Sequence, residues 1–211
     1  MAALLAVLLS LAFAVPAGAE NRTLGLYAGH ADGLGLGAAS VETVRSELQR
    51  LLIPVGFDLI WRDSAQRKSG EDFDVVVVSS FDGSCSADDL PPSSAAPALN
   101  SVILADTSVS GSRVLPFFRV DCGQLIRMLA PSLKPLSVAV RQTTVQRALA
   151  RLMAHEIYHI VAQTTGHQSS GIAKASFSLR DLMADRFEFD IWSLSQMKPQ
   201  PAVVISDSEE R

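Results

Sequence analysis

Apolar and polar positions along the chain fall into two periods, one of two residues and one of three to four, and these separate strands from helices. Residues 23–28 (TLGLYA) predict a short first strand, and residues 29–39 a glycine-rich loop. A helix follows, opened by Ser40-Val41-Glu42-Thr43. Val41, Val44, Leu48, Leu51 and Leu52 share one of its faces. Pro54 and Gly56 should stop it. Residues 57–61 (FDLIW) alternate like a half-buried strand. Residues 73–79 (FDVVVVS) form a continuous β-branched run, the pattern of a central strand covered on both faces.

Residues 83–100 are polar and rich in Pro and Ser, which predicts a long surface excursion. Residues 102–105 and 113–120 predict two strands joined as a hairpin through Gly111-Ser112. Pro116 places the second of them at a sheet edge. A short helix should run from Asp121 to about Leu129 and end at Pro131. The longest helix is predicted from about Val138 to Gln163. Leu149, Leu152 and Ile160 form its apolar stripe, and Gln146, Arg147 and Arg151 a polar one. From Leu152 onward it is apolar on most sides and should be buried. Gly166 predicts a left-handed stop, and a last helix is expected over residues 179–194. The fold class expected is α+β, a small mixed sheet packed against the long helix.

Composition narrows the function classes. The chain has 211 residues, 48% of them hydrophobic and 19% charged, which suits one globular domain. With a formal net charge of −4 there is no basic excess to hold a phosphate backbone, so a nucleic-acid partner is not expected. Residues 1–15 (MAALLAVLLSLAFAV) and Pro16-Ala17-Gly18-Ala19 read as an apolar core and an Ala-x-Ala cleavage site. The expected organisation is a signal peptide over 1–19, one domain over 20–197 and a polar tail over 198–211. A retained membrane anchor is the alternative, although the apolar run is short for about 30 Å of hydrocarbon. No stable membrane insertion is expected after cleavage. The implied location is secreted or periplasmic, where Cys85 and Cys122 should form a disulfide rather than remain free thiols. Oligomeric state leaves no signal.

There are four histidines, His30, His155, His159 and His167. His30 sits in the glycine-rich loop and reads as an ordinary surface residue. His155-Glu156-Ile157-Tyr158-His159 is an HExxH motif. Positions four apart stand one above the other on a helix face, so two imidazoles there can share a zinc ion at about 2.0–2.1 Å per bond. Glu156, rotated about 100° around the axis, can take a proton from a water that the metal acidifies. A catalytic zinc needs a third protein ligand. His167, just past Gly166, is the leading candidate. Asp185, Asp181 and Glu188 are rivals, although Asp181 also stands at the third position of a helix that Ser178 would cap. Asp185 could alternatively orient a ligand histidine. Tyr158 points away from the histidine face and reads as packing.

Residues 155–167 and their flanks resemble a metzincin-type zinc peptidase, in which HExxH is followed by a glycine turn, a third histidine and a methionine turn. A third His eight residues after the second, with Ser170-Gly171-Ile172 beyond, is similar to poorly characterised secreted bacterial proteins of zincin type. This chain carries Ala162 and Thr165 where common metzincins place the glycine and the third histidine, and Ala173 where related chains carry methionine. Met183 is assigned to the core. The resemblance implies a zincin fold and one Zn2+ held by His155, His159 and His167. It also implies Glu156 as general base, acting on a peptide or protein substrate. Two other readings stay open: a non-catalytic exported module that binds metal or a partner, and a zinc hydrolase of a non-peptide amide.

Overall fold

A computed structural model describes residues 21–29, 35–64, 70–91 and 103–198. The expected signal peptide, His30 and all of the expected tail after Lys198 lie outside the described residues. Five strands form one mixed sheet: β1 (Arg22–Ala28), β2 (Phe57–Asp63), β3 (Val75–Asp82), β4 (Ala105–Ser110) and β5 (Arg113–Asp121). Their order across the sheet is β2-β1-β3-β5-β4. All neighbours run parallel except β4, which is antiparallel to β5. The helices are α1 (Ala38–Leu52), α2 (Cys122–Leu133), α3 (Val138–Ala162), α4 (Leu179–Met183) and α5 (Ile191–Met197).

Register explains the layering. Leu24 pairs with Leu59, Leu26 with Val77 and Ser79 with Phe118, so these side chains share one sheet face. They are buried together with Val44, Leu48 and Leu52 of α1 and Leu149, Leu152 and Ile157 of α3. On the other face Phe73 lies against Gly25 and meets the Tyr27 ring edge-on at 6.3 Å. β3 is the central strand, as predicted, but it is not covered on both sides. Val77 and Ser79 are buried while Val76 is 42% exposed, and among the described residues no second helical layer covers that face.

Several sequence expectations shift in the folded chain. The first hairpin strand is displaced from 102–105 to Ala105–Ser110, a largely polar edge strand held by its ladder to β5. β5 is internal although it contains Pro116. Its ladder to β3 begins at Phe117, and toward β4 Pro116 faces the register shift between Thr107 and Val109. No ladder hydrogen bond therefore needs its missing N–H. α2 runs through Pro131 to Leu133. Both Pro131 and Arg127, whose carbonyl loses its helical partner, are exposed to water. The 83–100 excursion begins inside the molecule, with Cys85 fully buried and joined to Cys122 by the expected disulfide.

α3 ends one residue earlier than expected. Its left-handed cap is Gln163 at φ 49°, whereas Gly166 is outside the left-handed region. The Gln163 amide donates to the Ile160 carbonyl at 2.7 Å. The single last helix is two, α4 and α5, separated by an irregular stretch. The cause is Arg151. It reads as part of a polar stripe, but it is fully buried, and its guanidinium donates to the carbonyls of Asp181, Leu182 and Ala184 at 2.7–2.9 Å. Carbonyls turned toward a buried cation cannot continue a helical ladder. Gln146 of the same predicted stripe is buried too.

Candidate metal centre

The buried half of α3 presents His155 and His159 one turn apart on one face. His155 Nδ1 lies 2.6 Å from the Ile172 carbonyl oxygen, and His159 Nδ1 lies 2.7 Å from that of Thr164. A carbonyl only accepts, so each Nδ1 carries the ring proton and each Nε2 offers a lone pair. These two Nε2 atoms face one another at 3.1 Å with no proton to share. Nitrogens bound tetrahedrally to one ion at about 2.0–2.1 Å stand about 3.3 Å apart. Both the donor set and its spacing therefore fit a single divalent ion.

The chain reverses after Gln163 and brings back His167. Its ring stacks on His155 at 5.3 Å with a 22° interplanar angle and meets His159 edge-on at 4.9 Å. One ligand atom from each of the three rings lies within 4.8 Å of the others. Burial, with the neighbouring rings adding to it, pushes the His155 pKa down to about 4, although its carbonyl partner acts the other way. Burial also lowers that of His159. Both are thus neutral at neutral pH, the form that binds metals. Three imidazoles suit several borderline metals, zinc among them.

The rival ligands are engaged elsewhere. Asp185 has a fully exposed side chain paired with Arg147 at 3.0 Å, so it neither ligates nor orients a ligand ring. Asp181 closes the capping box of α4 with Ser178 and pairs with Lys174 at 2.6 Å. Glu188 pairs with Arg50 at 2.8 Å. Tyr158 is fully buried, as expected of a packing residue, though its hydroxyl has partners.

Glu156 lies beside the rings, 4% exposed. Burial raises its pKa to about 7 against the opposing pull of a hydrogen bond from Thr107, whose hydroxyl donates to Oε2 at 2.6 Å. A cavity of about 190 Å³ opens over this group. It is lined by Glu156, His159 and His167 on one side and by Asp106, Thr107 and Val109 of β4 on the other.

Sequence reasoning missed two contributors. Thr107 lies 49 residues before Glu156 with no local motif to mark it. Phe177 meets the His155 ring edge-on at 5.4 Å and supplies apolar surface beside it, while Ala173 is fully buried. Only the aromatic character of Phe177 could have drawn attention to it. No family model matches the chain, and no curated protein is detectably similar to it.

Proposed function

We propose that the protein is an exported zinc peptidase of metzincin-like zincin type, with His155, His159 and His167 as ligands and Glu156 as general base. The observation that carries the reading is the convergence of two lone-pair nitrogens 3.1 Å apart and a third imidazole, with His159, His167 and the buried Glu156 carboxyl lining one open cavity. A zinc ion held there would act as a Lewis acid, acidifying a water molecule and polarising the scissile carbonyl. Glu156, with a pKa of about 7, can take a proton at neutral pH and then release it to a leaving amine. Thr107 holds Oε2, so Oε1 is the oxygen left to exchange that proton.

A peptide is favoured over other amides by the place of β4. It is the last strand of the sheet, so its outer edge has no strand partner among the described residues, and three of its residues line the cavity. An extended chain can add to such an edge through main-chain hydrogen bonds. The order of elements agrees with the resemblance: helix, mixed sheet, then the long helix that carries the motif. The disulfide suits an oxidising compartment. No helix among the described residues is long and apolar enough to cross a membrane.

Glu156→Gln tests the assignment. The variant should bind one zinc per chain as tightly as the parent and lose at least about 100-fold in hydrolysis of a denatured protein or a peptide library. Full activity in Glu156→Gln, or activity that survives a strong chelator, would refute it.

A further inference from the structure

The third histidine differs from the other two in how it is held. His155 and His159 are fixed at Nδ1 by backbone carbonyls, whereas the His167 ring has no hydrogen-bond partner among the described residues. Its ring is exposed, and it follows Gly166 in a reversing loop. What is fixed is the next residue. The Gln168 backbone N–H donates to the Ala173 carbonyl at 2.8 Å. Its side-chain amide donates to the Tyr158 hydroxyl at 3.3 Å and to Gln196 Oε1 at 3.2 Å. Tyr158 in turn donates to Gln196 Oε1 at 2.5 Å. The result is a closed triangle of Gln168, Tyr158 and Gln196. It ties the histidine loop to α3 through a fully buried tyrosine and to α5 through Gln196.

We infer that Gln168, clamped by Tyr158 and Gln196, is a positioning residue that sets metal affinity by holding His167 over the other two imidazoles. The inference rests on the three-histidine reading above. It gives Tyr158 a task beyond filling the core, and it explains how an exposed imidazole on a loop could keep ligand geometry without a hydrogen bond to its own ring. Groups that orient a ligand commonly change metal affinity by about 10–100-fold when removed.

Zinc dissociation constants, measured on the full chain by competition with a chromophoric chelator, test this without any substrate. Gln168→Ala should weaken zinc binding at least about 10-fold, and Tyr158→Phe in the same direction by less. The melting temperature of the chelator-treated Gln168→Ala protein should stay near that of the parent. Because Gln168 acts through His167, its removal should add nothing in a His167→Ala background. The proposal is overturned if Gln168→Ala binds zinc like the parent, or if it weakens binding equally with His167 already gone. A parent protein that takes up no zinc would overturn the function reading along with it, a result distinct from either of these.

Discussion

At position 151 a guanidinium with no exposed surface holds three carbonyls, and the carboxylate of Glu47 stands 3.7 Å away. A planar fork can serve acceptors that diverge around a reversing chain, whereas an ammonium offers one point of charge. Replacing Arg151 with Ala strands those acceptors in the core and should cost about 3–5 kcal/mol in urea denaturation, with Arg151→Lys recovering little of it. Asp181 offers a pH test at the same scale. Burial alone would raise its pKa, but hydrogen bonds from Lys174 and Ser178 outweigh that and leave it below the ordinary value. A depressed pKa in the folded state means that the stabilisation is present above the ordinary carboxylate range and is lost as pH falls through it. The stability gap between the parent and Asp181→Asn should therefore be widest near neutral pH and shrink toward about pH 3. The Asp181 capping role was legible in the sequence because a capping box is local. Burial of Arg151 was not, because periodicity reports a face of a helix and not what other elements lay against it.

Among the elements, the segment after α3 decides the site. Gly171, at φ 66°, passes so close to the backbone before α5 that an added Cβ would stand 2.7 Å from the Glu188 carbonyl oxygen and 2.8 Å from the Asp190 nitrogen. The next residue, Ile172, supplies the carbonyl that sets the His155 tautomer. Gly171→Ala is therefore expected to cost about 2 kcal/mol or more by thermal unfolding, since both the conformation and the space are wrong. Zinc affinity should fall with it as the Ile172 carbonyl moves. α3 itself was legible almost to its last residue, since a long helix with a strong apolar pattern is governed by local geometry. Its cap was not, because Gln163 has no intrinsic preference for the left-handed region, where its side-chain amide donates a hydrogen bond to the Ile160 carbonyl. The splitting of the final helix was equally hidden, since the cation that disrupts it is some thirty residues earlier in the chain.

For the molecule as a whole, the bond between Cys85 and Cys122 ties the chain leaving β3 to the start of α2, both ends being fully buried. Removing it as a double Ser variant frees a loop of about 36 residues in the unfolded state and should lower stability by about 3–4 kcal/mol. The check is a thermal melt of the oxidised parent against the variant, and an unchanged midpoint would contradict it. Sequence by itself determined what depends on neighbours in the chain: the helix that carries HExxH, the placing of two imidazoles one turn apart, and Glu156 beside them. Backbone geometry repeats every few residues, so such spacing is readable at sight. Only the tertiary structure brought His167, and not a rival carboxylate, to the other two rings, joined Thr107 to Glu156 and the Ile172 carbonyl to His155, and set β4, the outermost strand among the described residues, along the cavity. Those contacts join segments up to 49 residues apart, and which of them meet depends on how the buried faces pack rather than on any pattern within one segment.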